Sequence, residues 1–258
     1  MFIEERHRAI LDILAETGSI SVTDIQTKFN VGYGSAQRDL RLLEEQGLLK
    51  RTHGGAIPVR QVAARKPKNV TCKDFGEEKE NYVAIAKKAV SMTKNNDVVF
   101  ITSATVGYFM ARNLPEDLKI RAVTNSIIIA EELRQKQNIS VIMLGGEMDG
   151  KGNCYDAFAI DTIKKLRFDK CFLTAAAISA DFGLSIQKSQ AISFWNAVMD
   201  SSKQTIGLFP TEKIGFESIV SICPANRLDV LVTDWNALEE DLAKFDKQGI
   251  EIVIVDKE

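Results

Sequence analysis

The sequence predicts an α/β protein: a small N-terminal winged helix-turn-helix followed by a larger, doubly wound domain built on a parallel sheet. Three observations predict it. The N-terminal quarter carries short amphipathic helical patterns followed by a Gly-rich basic hairpin. The remainder alternates β-branched apolar runs with helical stretches. Charge is divided unevenly, for residues 1–73 hold 12 Lys and Arg against 8 Asp and Glu, while 74–258 hold 21 against 27. The near-neutral total of −2 therefore hides a cationic end on an acidic body, an arrangement that suits a polyanionic partner.

Composition narrows the function classes. At 258 residues and 45% hydrophobic content the chain can bury an ordinary core. It has no apolar run of the roughly 20 residues that cross a bilayer, and MFIEERHRAI lacks a leader pattern, so a cytoplasmic protein with no membrane partner is expected. Cys72, Cys154, Cys171 and Cys223 are too dispersed for a zinc or redox motif and read as structural thiols. The two histidines, His7 and His53, both lie near the N-terminus, which excludes a His-based triad or a multi-histidine metal site in the body. No catalytic residue, cofactor or metal is expected.

Taken in order, Ile3, His7, Ile10 and Leu14 mark the buried stripe of a first helix that Gly18 stops. Ser21-Val22-Thr23-Asp24 resembles a capping box opening a second helix, with Val22, Ile25 and Phe29 inward. Asn30-Val31-Gly32 breaks it, and a third helix turns Ala36, Leu40 and Leu43 inward. Gly47 closes that helix, Leu48 and Leu49 open a strand, and residues 50–55 form a basic, glycine-containing wing.

DNA recognition needs hydrogen-bonding groups at the start of the third helix for base edges, and cations nearby for phosphates. The candidates are Tyr33, Ser35, Gln37, Arg38 and Arg41 on the helix, with Lys50, Arg51, Thr52 and His53 on the wing. Gln37 and Arg38 suit bases; Arg41, Lys50, Arg51 and His53 suit phosphates. Asp39 is expected to orient an arginine or to pair within the protein. The competing reading is a small helical interaction module with a solvated polar face. The DNA-binding domain is placed at 1–57 and a basic hinge, containing Pro67, at 58–75. The body follows at 76–258.

A helix is expected over 77–92, and strands at 97–102, 121–124, 140–144, 171–175, 205–209, 230–233 and 251–255. Continuous apolar strands separated by helices imply a parallel sheet covered on both faces, whose ligands bind beyond the carboxyl ends of the strands. The residues there are Thr102-Ser103-Ala104-Thr105, Thr124-Asn125-Ser126, Gly145-Gly146 and Lys213. Hydroxyls, small residues and a helix start of this kind suit an anion such as phosphate.

The N-terminal text closely resembles the DeoR-type family of bacterial repressors. It matches at Arg6, Ile10, Leu11, Leu14, Val22, Ile25, Phe29, Val31, Arg38-Asp39-Leu40, Leu43-Glu44, Gly47, Leu49, Arg51 and His53-Gly54-Gly55-Ala56. Ser35, Ala36 and Gln37 replace the family's usual Thr, Ile and Arg. The body resembles that family's sensor domain, similar in fold to sugar-phosphate isomerases. Thr124 to Ser126, Leu144 to Gly146 and Phe168-Asp169-Lys170 persist from its pattern. Thr102, Pro210 and Gln190 stand where the family carries acids, and Lys213 keeps its lysine.

The resemblance implies a transcriptional regulator, a repressor of a carbohydrate or polyol operon, with operator DNA and a phosphorylated sugar or polyol as partners. Gln190 joins the effector set through it. A homodimer or homotetramer is expected, because two-fold symmetry matches paired half-sites. Two alternatives remain: a regulator whose body serves only assembly, and an isomerase-like enzyme. The enzyme needs a positioned base, and only Asp149, Asp156 and Asp181 remain in its loops.

Overall fold

The computed structural model describes residues 3–17, 19–52, 54–58 and 79–257. Contacts divide the chain into two compact units, Met1–Gln61 and Val62–Glu258. His53 and residues 59–75 of the expected hinge lie outside the described residues.

In the first unit, α1 (Ile3–Thr17), β1 (Ile20–Ser21), α2 (Val22–Phe29) and α3 (Tyr33–Glu45) precede a hairpin of β2 (Leu49–Thr52) and β3 (Gly55–Pro58). The apolar stripes close on one core of Ile10, Leu14, Val22, Ile25, Ala36, Leu40, Leu43 and Leu49, all at most 4% exposed. The capping box forms as read, with Asp24 N–H donating to Ser21 Oγ and Ser21 N–H to Asp24. Asn30 takes a left-handed conformation (φ 51°) and ends α2, so that α3 leaves in a new direction.

The three strands form an antiparallel sheet in the order β1-β3-β2. Gly55 is required where β1 and β3 meet, because a Cβ there would lie 2.0 Å from the Ile20 carbonyl oxygen. Pro58, expected by composition at the start of the hinge, instead pairs with Leu49 in β3, next to the pairing of Ile57 with Lys50. Proline is tolerated there because β1 pairs no further than Ala56, so on that side no partner needs an N–H from residue 58.

The second unit opens with α4 (Glu80–Ser91), then β4 (Val98–Ile101), α5 (Thr105–Asn113), β5 (Ile120–Thr124), α6 (Ile127–Arg134), β6 (Ile139–Met143), α7 (Ala157–Lys164) and β7 (Phe168–Leu173). There follow β8 (Ala177–Ser179), β9 (Gly183–Ile186), α8 (Ile192–Asp200), β10 (Ser202–Leu208), β11 (Val220–Cys223), β12 (Val230–Asp234), α9 (Glu239–Asp246) and β13 (Glu251–Val255). Seven strands make one parallel sheet, ordered β6-β5-β4-β7-β10-β12-β13. Each of them overlaps one of the seven expected runs.

Alternation along the strands splits the core between two faces. Val99 and Ile101 pack with α4, α5 and α6, whereas Phe100 joins Phe168, Phe194 and Trp195 on the side of α7, α8 and α9. Sequence reading did not resolve β8, β9 and β11, which form a separate antiparallel sheet. They are short and rich in small residues, and buried on nearly every position, so they show no two-residue polarity period.

From β4 the chain winds outward through β5 and β6, returns to β7 beside β4, and then winds the other way. The reversal falls between the carboxyl ends of β4 and β7, the place where open α/β sheets bind ligands.

Candidate functional site

In the first unit the polar groups of α3 are sorted by a buried clamp. Asp39, 1% exposed, accepts from Arg6 Nε at 2.7 Å and Arg6 Nη2 at 3.1 Å, with His7 Nε2 at 3.1 Å. The one acid in the early part of α3 is thereby tied to α1, as the reading of Asp39 required. Tyr33, Ser35, Arg38 and Arg41 are exposed along α3, and Lys50 and Thr52 along β2. Gln37 and Arg51 are half-buried and joined: Arg51 Nη2 donates to Gln37 Oε1 at 2.7 Å, and Gln37 Nε2 donates to Tyr33 Oη at 3.2 Å. Arg51 N–H also donates to Glu44 Oε1 at 2.8 Å, pinning the wing to α3.

In the second unit the carboxyl ends of β4, β5, β7 and β10 bring most of the expected effector residues together. Thr102 is buried and continues β4 by donating its N–H to the Phe172 carbonyl. Among the described residues its Oγ1 has no hydrogen-bond partner, and neither does the buried Asn125 Oδ1. Ser103 Oγ and Tyr155 Oη lie 2.7 Å apart. Burial pushes the Tyr155 phenol up, against the opposing hydrogen bonds of Ser103 and Asn125. No side chain caps α5 or α6, although both begin at this end of the sheet, whereas α7 is capped by Asp156. At α6 the first amide is already used, the Ile127 N–H donating to the Gly152 carbonyl at 2.9 Å, so the N-terminus of α5 is the one left with its positive dipole end at the strand ends.

Lys213 sits on a short helical turn after β10, its Nζ 3.2 Å from Thr174 Oγ1 and 2.9 Å from the Ala175 carbonyl at the end of β7. The fully buried Asp234 fixes that turn, accepting from Thr211 N–H at 2.8 Å and Thr211 Oγ1 at 2.6 Å. Beyond it, Gly215 N–H donates to the Ile178 carbonyl at 2.7 Å. The lysine therefore projects from a turn held at both ends.

Residues 6–62 match the DeoR-like helix-turn-helix domain, and residues 77–235 match the DeoR C terminal sensor domain. The chain belongs to the DeoR family. Similar relatives include the HTH-type transcriptional regulator GolR of Listeria innocua, 26% identical over 99% of this chain and 100% of its own. The HTH-type transcriptional repressor GlcR of Bacillus subtilis is 28% identical over 100% of this chain and 98% of its own. Among solved structures, ribose 5-phosphate isomerase A from Neisseria gonorrhoeae is similar over 58% of this chain and 56% of its own, at 16% identity and a TM-score of 0.39. This DeoR-family chain is a DNA-binding transcriptional regulator. Among its described residues no helix is long and apolar enough to cross a membrane.

Several motif residues of this DeoR-family body hold the fold. Thr124 Oγ1 accepts the Ser126 N–H, and Asn125 Nδ2 donates to the Cys154 carbonyl at 3.1 Å, tying the end of β5 to the loop at 144–156. Gly146 has φ 144°, and a Cβ there would strike Asp156 Oδ1 at 2.2 Å, so its glycine answers to the α7 cap. Gly145 is exposed. Asp169 accepts the Val98 N–H at 2.9 Å and Lys203 Nζ at 2.8 Å, which pins three strands at their amino ends. Ala104 precedes α5, Thr105 is its first residue, and both are half-buried. Gln190 is exposed on a short helical turn before α8.

Tyr155, Thr174 and Asp234 were missed. Thr174 was hidden inside a strand read two residues too long, and Asp234 directly follows a strand read one residue too short. Tyr155 lies in an irregular loop and carried no periodic signal.

Proposed function

We propose that the chain is a cytoplasmic repressor of a carbohydrate or polyol operon, controlled by a phosphorylated sugar or polyol bound at the carboxyl ends of the body strands. In this reading α3 enters the major groove. Tyr33, Ser35, Gln37 and Arg38 face base edges, while Arg41, Lys50, Arg51, Thr52 and His53 serve the phosphate backbone. The regulator acts as a homodimer or homotetramer, with a DNA-binding domain at 1–57, a basic hinge at 58–75 and a sensing and assembly domain at 76–258.

One observation supports the sensor reading: where strand order reverses, Ser103 meets Tyr155 and Lys213 meets Thr174 at neighbouring strand ends, with the N-terminus of α5 free of a side-chain cap. Hydroxyls and an ammonium are donors for phosphate oxygens. A binder rather than an enzyme is the reading these groups support, since proton abstraction requires a positioned base and none of them is a carboxylate. Thermal unfolding of the whole chain with phosphorylated sugars and polyols tests the reading. A ligand at 100 times its Kd adds roughly 2.7 kcal/mol, and Lys213→Ala is expected to lose that shift while keeping DNA binding. A chain stabilised by none of these phosphates has an assembly body instead.

A further inference from the structure

We infer that Arg51 on the wing sets the base preference of Gln37 by locking its amide, so that Gln37 presents a hydrogen-bond donor alone to the major groove. The inference rests on α3 reading base edges, as proposed above, and adds which base it reads. The guanidinium of Arg51 has N–H groups and no acceptor, so the amide atom it meets at 2.7 Å must be the oxygen of Gln37. The amide nitrogen then faces the opposite way, and one of its two hydrogens goes to Tyr33 Oη at 3.2 Å. One N–H remains.

An unrestrained glutamine recognises adenine with both ends of its amide, the oxygen taking the N6 amino group while the nitrogen donates to N7. With its oxygen turned to Arg51 and one of its two lone pairs spent there, Gln37 cannot align both ends of its amide on adenine, and its free N–H is the half left for the groove. A single donor is satisfied by guanine N7 or O6, adenine N7 or thymine O4; cytosine offers only its N4 amino group and is rejected. The wing thus acts on specificity through a neighbouring side chain, in addition to any phosphate it touches. Arg51 is here a positioning residue, and its backbone N–H bond to Glu44 survives side-chain replacement.

Selection of random duplexes by the purified full-length chain, at one fixed salt concentration, tests the lock, with folding of each variant checked by its melting profile. The wild type is expected to exclude cytosine at one base pair and to accept guanine, adenine and thymine there. Arg51→Met frees the oxygen, and the same position should narrow to adenine, favoured roughly tenfold or more as bidentate contacts are. Gln37→Glu keeps one oxygen on Arg51 and turns an acceptor to the groove, so it should select the bases that offer an amino group there, cytosine and adenine, and exclude guanine and thymine. Arg51→Lys, which retains a cationic donor, should keep the wild-type pattern. Unchanged base distributions in Arg51→Met and Gln37→Glu, with or without a uniform loss of affinity, overturn the lock alone. A wild-type chain that selects no duplex overturns the placement of α3 and the lock with it.

Discussion

Asp39 shows how a single side chain divides a helix between fold and function. A carboxylate beside Arg38 and Arg41 would repel phosphates if it faced outward; held by Arg6 and His7, it instead braces α3 against α1. Removing one partner of a buried pair leaves the other charge uncompensated, so Arg6→Ala should destabilise the N-terminal unit by about 3 kcal/mol. Urea unfolding followed by the far-ultraviolet signal measures it, and an unchanged midpoint contradicts the clamp. The sequence shows that Asp39 needs a partner. It does not show that Gln37 has given its oxygen to Arg51, because that bond spans 14 residues and depends on the wing's register.

Buried thiols give a second residue-scale prediction. Burial pushes Cys171 and Cys223 up to about 11 from a usual value near 9. The unfolded chain therefore releases these protons first, and by linkage the stability that the neutral thiols contribute is intact below pH 9 and declines as pH rises from 9 toward 11. Denaturant midpoints across that range should fall, and iodoacetamide at pH 8 should leave both thiols unmodified in the folded chain. Rapid modification there would contradict the buried placement.

Among elements, α2 and the parallel strands were legible because each obeys a local rule: a capping box, or an apolar run of strand length. The small antiparallel sheet was not, since its pairing joins β9 to a strand more than thirty residues away. The hinge boundary was set too early at Pro58, where composition outweighed pairing. Gly55 is the element-scale counterpart of these rules. Its missing side chain lets β1 meet β3, and Gly55→Ala forces a backbone displacement that should cost at least the 1–3 kcal/mol typical of overpacking. Thermal unfolding reads this cost. A variant as stable as the wild type would mean that β1 can leave the sheet without loss.

For the whole molecule, strand order matters more than any one motif. Sequence reading placed Ser103, Asn125 and Lys213 at strand ends, but only the order β5-β4-β7-β10 puts those ends side by side. It also brings in Thr174, and the long loop adds Tyr155. Lys213→Ala separates sensing from DNA binding at this scale, as set out above.

Engagement of duplex DNA by α3 and its cationic hairpin is tested by gel retardation of the chain's own upstream region with wild type, Arg38→Ala and Lys50→Ala across a salt series. Wild type should retain that fragment at low salt. Arg38→Ala should lose about 1–3 kcal/mol on the preferred sequence, and Lys50→Ala should weaken all sequences evenly with a shallower salt dependence. No retention by the wild type at low salt, with or without phosphorylated sugars, or equal affinity of all three proteins for every fragment, would contradict it.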